Sequence, residues 1–285
     1  MKRPVRVLLP WFDGGDAVTA QLGFRLAQPE EDVTAQKAAY DAQVAARFAR
    51  QPFAGGLCEV EDLPAAIAGR GQACLASIAK TVTESDMSRL RAGVVDLTKL
   101  VSFQKAVALD QIEQRVARAS AADWTALAAI CLPEPTEEPI LQGTYDRDGK
   151  GLTITSVNPN LRVGPLQNFV MPGSGLRMIG FQLVFGSSHL HVVNYRDRSI
   201  LKDGYHRCFG LLALGIHRVP CIVEEARSFA DVHSRNPTLV SPDDVMGSHP
   251  PMVTDFHDPS VSMTVEQQSY RKTVRIHAEE FAINI

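Results

Sequence analysis

The residues best suited to chemistry stand together at positions 203–207, where the sequence reads DGYHR. A β-forming run precedes them, and a short apolar run ending at Gly215 follows. This order predicts a strand, a tight turn, a short helix and a second strand. The first turn of a helix exposes backbone N–H groups that attract anions, and an arginine adds a fork of donors suited to phosphate or carboxylate. The stretch therefore predicts an anion-binding turn.

Several residues of this stretch have side chains or backbone freedom that suit a phosphate site. Gly204 permits a backbone geometry that side chains forbid and lets a ligand approach closely. His206 and Arg207 can contact phosphate, and His206 can also act as an acid or base near neutral pH. Asp203 can orient His206 or hold a magnesium ion. We therefore predict Asp203 and His206 as catalytic residues, Asp203 as the metal ligand, and Lys202, Gly204, His206 and Arg207 as the residues that bind the ligand.

The charge around the turn also favours an anionic ligand, because residues 196–218 hold five basic residues against two aspartates. A purely structural interpretation stands beside this one. Asp-Gly is a common turn sequence, and Arg207 could form a salt bridge with Asp203 or Glu224. The flanking pattern favours the binding interpretation and leaves catalysis undecided.

The motif and its flanks resemble the ParB/sulfiredoxin superfamily, including its free-serine-kinase branch and the DGQHR-type proteins. In those families a strand ends in a D-G-x-H-R turn, a small-residue helix follows, and L-G and a proline precede the next strand. The matching residues here are 203–207, 213–215 (ALG) and 219–223 (VPCIV). The resemblance covers roughly residues 165–225.

This resemblance implies that the turn contacts the phosphates of a bound nucleotide. The superfamily includes enzymes that transfer or hydrolyse phosphate, a reductase, CTP-operated DNA clamps and proteins with nuclease activity. The sulfiredoxin branch carries a cysteine directly before His-Arg, whereas this chain has Tyr205 there. That difference argues against sulfiredoxin chemistry, and Cys208 is not a substitute for the missing cysteine.

The function predicted on this basis is nucleotide binding, with ATP or CTP as the ligand and magnesium-assisted phosphate transfer or nucleotide hydrolysis as the reaction. The main alternative is a ParB-like nuclease or a DNA-associated nucleotide switch. A third possibility is a non-catalytic ligand-binding module or oligomeric scaffold. Expected partners are a nucleotide or another phosphate-bearing small molecule, a nucleic acid under the alternative, and further copies of the chain. We expect no membrane partner.

Weaker constellations suggest other chemistry. His189 and His191 alternate and would share one face of a strand, where a third ligand from His206, His233 or His257 would complete a metal site. Cys208 beside Arg207 could have a lowered pKa, although a buried structural cysteine is the commoner case. Three further features are ordinary loop compositions that could also contribute to a site: Asp13 and Asp16 as magnesium ligands, Arg162 as a ligand contact, and Ser187 and Ser188 as hydroxyl donors.

Composition limits the class of protein. The chain has 285 residues and a net charge of −3, so nucleic-acid binding would need a local basic patch. Its five scattered cysteines form no metal-binding pattern and favour reduced thiols. The apolar run at residues 1–11 is too short and interrupted for a signal peptide, and no stretch reaches membrane-spanning length. These features predict a cytoplasmic protein.

Apolar spacing predicts a mainly helical region over residues 1–132. Tyr40, Val44 and Phe48 recur every four residues, as one face of a helix requires. A second long helix is predicted to begin near Asp96 or Thr98 and to continue through Val116. A third, short helix follows a capping-box-like sequence at residues 120–123.

Residues 133–285 differ from the N-terminal region in composition and in predicted secondary structure. Residues 133–139 (PEPTEEP) form the candidate linker, and residues 140–285 the predicted C-terminal domain with a terminal extension. Strands are predicted at residues 152–157 and 181–185, and a hairpin at residues 189–201. The predicted fold class is therefore α+β: a largely helical N-terminal region followed by a mixed-sheet domain like those of the ParB/sulfiredoxin superfamily.

Overall fold

The structure, a computed structural model, describes residues 2–12, 31–79, 84–110, 112–134, 143–145, 151–156, 161–170, 173–185, 189–232, 239–268 and 272–277. The fold is mixed α/β. The chain divides into two compact units. The first combines Met1–Glu134 with Ser188–Ser269, and the second combines Pro135–Ser187 with Tyr270–Ile285.

The first unit is built on a five-stranded mixed sheet. Its strands, in spatial order, are β2 (Leu90–Asp96), β11 (Arg218–Glu225), β9 (His191–Tyr195), β10 (Arg198–Asp203) and β3 (Val101–Ser102). The β2–β11 and β9–β10 pairs are antiparallel, whereas β11–β9 and β10–β3 are parallel. The sheet thus interleaves strands that are more than ninety residues apart in sequence.

A second sheet of the first unit joins the beginning of the chain to its later part. Strand β1 (Lys2–Val7) lies between β12 (Met263–Gln268) and β4 (Ala106–Ala108), antiparallel to both. Val5 and Val7 of β1 are buried with Val265 of β12 in a small apolar cluster. The alternation of buried and more exposed residues along β1 is that of a strand with one covered face.

Helices pack around these sheets. They are α1 (Glu31–Ala49), α2 (Ala65–Ile78), α3 (Glu84–Met87), α4 (Ile112–Val116), α5 (Trp124–Cys131), α6 (Tyr205–Ala213), α7 (Phe229–Val232) and α8 (Pro242–Met246). Short 3-10 helices span Leu9–Trp11, Leu97–Lys99 and Val253–His257. The main core lies between the five-stranded sheet and α4, α5 and α6, where Leu201, Leu211 and Val223 are fully buried. No helix of the described ranges is long and apolar enough to span a membrane.

The second unit contains β structure. Strand β6 (Gly151–Ser156) lies between β13 (Lys272–His277) and β5 (Gly143–Tyr145), antiparallel to each. Strands β7 (Leu161–Val170) and β8 (Arg177–Phe185) form a long antiparallel hairpin. The strands predicted at 152–157 and 181–185 correspond to β6 and to the second half of β8.

The element order predicted around the DGYHR turn is confirmed. Strand β10 ends at Asp203, α6 begins at Tyr205, Gly215 adopts a positive φ of 71°, and β11 follows from Arg218. The predicted hairpin is also present as β9 and β10, joined at Arg196 and Asp197.

The predicted mainly helical N-terminal region is wrong. Residues 2–108 contribute β1, β2, β3 and β4 as well as helices, and all four strands belong to sheets that the later chain completes. The long helix predicted from Asp96 to Val116 is replaced by a 3-10 turn, two strands and the short α4. The apolar residues of this stretch lie on different elements and are buried in the same core, so their spacing resembles that of one helix face although no single helix carries them. Asp96 does cap a turn, accepting from Thr98 N at 2.9 Å.

The other two helix predictions are confirmed with changes. Helix α1 contains Tyr40, Val44 and Phe48, but Phe48 is 60% exposed, so the predicted stripe is not a fully buried face. Helix α5 is capped by Asp123, whose carboxylate accepts from Ala126 N, rather than by Ser120.

The two units also divide the chain differently from the predicted domains. The first unit takes in Ser188–Ser269, which the prediction placed in a separate C-terminal domain. Residues 135–139 of the predicted linker lie outside the described ranges. The chain leaves the first unit close to where it returns, since Leu190 N donates to Cys131 O at 2.8 Å.

Candidate functional site

The turn before α6 depends on Gly204. Its φ is +105°, a left-handed conformation that side chains disfavour, and Gly204 N donates to Asp203 Oδ1 at 2.6 Å. A Cβ here would lie 3.2 Å from the Cα of Leu190. The close neighbour at this glycine is therefore the protein's own backbone, and the approach of a ligand to Gly204 stays a prediction.

Tyr205 holds the turn in place. It is 3% exposed, and its hydroxyl donates to Leu201 O while accepting from Phe103 N at 2.6 Å and Gln104 N at 3.2 Å. One donor and two acceptor positions are what a hydroxyl offers, so the group is fully used. Burial raises the pKa of Tyr205 well above its usual value. The residue that distinguishes this motif from sulfiredoxin thus has a structural role.

Arg207 joins α6 to α5. Its side chain is largely buried, and Nη1 donates to Ile130 O at 3.1 Å, near the carboxyl end of α5. The carbonyls of a final helical turn have no partner within the helix, so this contact satisfies one of them. The same contact fixes the guanidinium at the wall of a groove.

This groove, which we call the arginine groove, is an open cavity of about 660 Å³ between α4, α5 and the start of α6. Three of its lining residues are arginines: Arg115, Arg118 and Arg207. Its remaining polar lining comes from Gln114, Asp123 and Thr125, and its apolar wall from Ala117, Ala126, Ala129, Ile130 and Pro133. The groove is therefore lined by both cationic and apolar side chains.

Two of the three arginines are available to a ligand. Arg115 and Arg118 are exposed and make no hydrogen bond or ion pair with any residue that the structure describes. Partial burial, and then the charge of Arg207, lower the pKa of Arg115, while Asp110 and Asp203 oppose the shift. Asp123, the acidic lining residue, already accepts from Ala126 N at 3.0 Å. With three arginines and one carboxylate in its lining, the groove has a net positive charge.

His206 lies in the electrostatic field of the same arginines. It is half-buried, and burial followed by the charge of Arg115 lowers its pKa to about 4. The imidazole is consequently neutral at pH 7 in the unliganded protein. It can donate a hydrogen bond from one ring nitrogen and accept one at the other. Acid–base chemistry near neutral pH, as predicted from the sequence, is poorly matched by this pKa.

Lys202 points to a different cluster. Its Nζ donates to Glu224 Oε2 at 3.1 Å and to Asp231 O at 2.8 Å. His191 Nε2 lies 3.1 Å from the same carboxylate oxygen, and Arg89 contacts both Glu224 and Asp231. Although burial opposes the shift, His191 and Lys202 lower the pKa of Glu224 to about 2. Lys202 is therefore engaged away from the residues that line the arginine groove.

The weaker constellations find little geometric support. Within the described ranges, no group of three or more His, Cys, Asp or Glu side chains is arranged to hold a metal. His189 is buried with no hydrogen-bond partner for Nδ1 among these residues, and burial lowers its pKa. His257 instead contacts Phe209 O at 3.1 Å. The remaining residues lie outside the described ranges or have undescribed side chains: Asp13, Asp16, Arg162, Ser187, Ser188 and His233.

Cys208 is not activated. It is completely buried, and burial raises its pKa far above the ordinary value, which supports the structural interpretation. The other four cysteines are also buried free thiols. The lowered pKa considered for Cys208 is thus incorrect.

Sequence reasoning singled out Arg207, which lines the groove, but missed Arg115 and Arg118. They stand about ninety residues earlier in the chain, within the stretch interpreted as one long helix. Their spacing of three residues beside a helix end was the one available signal.

Comparison with known proteins adds no identification. No protein-family model matches this chain, and neither does any curated protein or solved structure. The resemblance to the ParB/sulfiredoxin superfamily therefore stays a prediction from the motif.

Proposed function

We propose that the protein binds a nucleotide, ATP or CTP, in the arginine groove. The observation that carries this proposal is the convergence of Arg115 and Arg118, both without ion-pair partners in the described ranges, with the anchored Arg207. Guanidinium groups present paired donors that match phosphate oxygens. A phosphate-bearing ligand is the chemistry that this arrangement fits best.

The shape of the groove supports a ligand with an apolar part. Its volume of about 660 Å³ lies within the range of small-molecule sites, roughly 300–1,000 Å³. Ala126, Ala129 and Ile130 contribute an apolar wall of small side chains to the lining. A nucleobase or sugar would lie against this wall while the phosphates face the guanidinium groups.

The electrostatics support an anion for a second reason. Arg115 and Arg207 are close enough for the charge of one to disfavour that of the other. A bound phosphate would relieve this repulsion between the two guanidinium groups, and the relief would contribute to the free energy of phosphate binding. Inorganic phosphate should bind through the same arginines, but more weakly than a nucleotide that also uses the apolar wall.

We further propose phosphate transfer or hydrolysis as the reaction, with Asp203 and His206, which lie close to Arg207 in sequence but do not line the groove, as the residues that act on the ligand. With a pKa of about 4, His206 would act as a neutral hydrogen-bonding group. Asp203 lies within electrostatic range of Arg115. Together with phosphate oxygens, its carboxylate suits the preference of magnesium for oxygen ligands. Magnesium would neutralise charge on the transferred phosphoryl group when bound.

The test is a thermal-shift series with ATP, CTP and inorganic phosphate, each with magnesium, on the parent protein and on Arg115→Gln/Arg118→Gln. At a ligand concentration one hundred times Kd, the parent should gain about 2.7 kcal/mol of stability. The double variant should lose most of this gain. Arg91→Gln is the matched control, because Arg91 is equally exposed but lies on β2.

Two results would contradict the binding proposal: no stabilisation of the parent by any nucleotide, or undiminished stabilisation of the double variant. Phosphate release, measured for the parent and for His206→Gln, tests the reaction separately. Salt-sensitive DNA binding without turnover would favour the nuclease or DNA-switch alternative instead.

A further inference from the structure

Exposed apolar side chains concentrate at the turn end of the β7–β8 hairpin. Val170, Leu176 and Met178 are 60%, 61% and 41% exposed, and they are half of the strongly exposed large apolar side chains among the described residues. Scattered exposed apolar residues need no explanation, but a local concentration indicates an interaction site. We call this group the hairpin tip.

The hairpin tip is apolar on both of its faces. Val170 is the cross-strand partner of Arg177, so these two side chains share one face. Met178 follows Arg177 along β8 and therefore lies on the opposite face. A flat protein surface can cover one face of a two-stranded hairpin but leaves the other in water. An occupant that surrounds the tip covers both.

Charge around the tip favours an anionic surface. Residues 149–187 contain no Asp or Glu, in a chain whose net charge is −3, and of their three basic residues Arg177 lies at the tip, whereas Arg162 pairs with Val184 at the other end of the hairpin. Arg177 is exposed at the same end of the hairpin as the apolar side chains. The tip therefore combines apolar side chains with a cation and lies in an acid-free part of the chain.

We propose that the hairpin tip inserts into the interface of a membrane that contains anionic lipids. Lipid surrounds an inserted tip on both faces, and anionic headgroups accept a cation at its rim. This is a peripheral contact, which needs no membrane-spanning helix. It revises the sequence-based expectation of no membrane partner, and it is independent of the arginine groove, which belongs to the first unit.

The experiment is co-sedimentation of the full chain with vesicles of phosphatidylcholine alone and of phosphatidylcholine with 30% phosphatidylserine. The parent should bind the anionic vesicles, and much less the neutral ones. Leu176→Ser/Met178→Ser should weaken binding at least tenfold, because each change removes an apolar side chain that would be buried in lipid. Arg177→Gln should weaken it about fivefold and reduce its dependence on salt.

Leu57→Ser/Leu214→Ser is the matched control, because these residues are 48% and 55% exposed but belong to the first unit. It should bind as the parent does, and circular dichroism establishes that each variant is folded. Failure of the parent to bind anionic vesicles would overturn the proposal, as would an equal loss in the control. Light scattering provides a further check. If the parent does not bind vesicles, and the tip variant loses a self-association that the parent shows, the tip is a contact between copies and the membrane proposal is wrong. Nucleotide binding by the same preparations is unaffected by any of these outcomes.

Discussion

Tyr205 lies within the candidate binding motif, but its role is structural, because its hydroxyl hydrogen-bonds to the backbone. Its hydroxyl serves three main-chain groups, of Leu201, Phe103 and Gln104, inside the core. The hydroxyl thereby links the end of β10 to the segment between β3 and β4. The turn that presents His206 and Arg207 is consequently positioned by this contact.

Tyr205→Phe should therefore destabilise the protein by about 2 kcal/mol, because it leaves two buried N–H groups and one carbonyl without this partner. Chemical denaturation measures the change. Tyr195→Phe is the control, since the Tyr195 hydroxyl makes no hydrogen bond with the described residues. Equal stability of the two variants would show that the hydroxyl contacts contribute nothing.

The pKa of His206 predicts a pH dependence with a definite sign. Its pKa is about 4 in the folded protein, against an ordinary value of about 6.5 in an unfolded chain. Between these values the unfolded state binds the extra proton, so stability falls as the pH decreases from 6.5 towards 4. The contribution of one such group is at most about 1.4 kcal/mol per pH unit.

His206→Gln should make this loss of stability shallower, as followed by denaturation at pH 7, 6 and 5. His189 and His257, whose pKa values burial also lowers, retain their share of the slope. Substitution of the exposed His217 by Gln is the control and should leave the slope as in the parent. An unchanged slope in His206→Gln would mean that the imidazole is not held neutral by its surroundings.

At the scale of elements, the arginine groove depends on the close packing of α4 against α6. Gly210 of α6 lies so near α4 that a Cβ would come within 2.8 Å of Ile112 Cγ2 and of Val116 Cγ1. Helix α4 also carries Arg115. The absence of a side chain at position 210 therefore helps to set the width of the groove.

Gly210→Val should destabilise the protein by about 2 kcal/mol or more, because the added methyl groups overpack this contact. It should also weaken nucleotide binding through the displacement of α4. Ala213→Val, at an exposed position of the same helix, introduces the same side chain without touching α4. A Gly210→Val protein that matches this control in stability and ligand affinity would refute the packing argument.

Elements were predictable where the local pattern and the tertiary environment agree. The run from β10 through α6 to β11 follows from its turn residues and its β-branched strands. The region from Leu97 to Val116 was not predictable, because its apolar residues meet the core from different sides and their spacing only imitates a helix. Lys202 was misplaced for a related reason: neighbouring strand residues face opposite ways, so proximity to Asp203 in sequence did not bring it to the groove.

The candidate site was half predictable. Arg207 belongs to a turn whose chemistry is local, and that turn forms as expected. Arg115 and Arg118 reach the groove only because α4 packs on α6, a contact across about ninety residues that no local pattern contains. Single-sequence reasoning therefore found Arg207 and missed Arg115 and Arg118, which make no ion pair with the described part of the chain.

At the scale of the whole molecule, the first unit is assembled from both ends of the chain. Strand β2 needs β11, and β1 needs β12, so residues 1–132 lack the partners of their own strands. Most of the second unit, Pro135–Ser187, is inserted between Glu134 and Ser188, and the rest, with strand β13, follows Ser269. The hydrogen bond from Leu190 N to Cys131 O brings the two sides of this insertion together.

Replacement of residues 135–187 by a short Gly-Ser linker, in a chain that ends at Ser269, should therefore leave a folded first unit that still binds nucleotide, because the ends to be joined are already close. Cooperative thermal unfolding and the thermal shift with ATP measure this outcome. The isolated fragment 1–132 serves as the contrast and should show no cooperative transition. A linker variant that fails to unfold cooperatively would mean that the first unit depends on the insertion.

The hydrogen bond between Leu190 and Cys131, at the join where the chain leaves and re-enters the first unit, has an evolutionary consequence. A change in the length of the insertion alters no strand register of the five-stranded sheet, so we expect such changes to be tolerated. The join also lies one residue from Ile130, whose carbonyl holds Arg207. A reporter domain spliced at this point would interrupt no strand of the first unit.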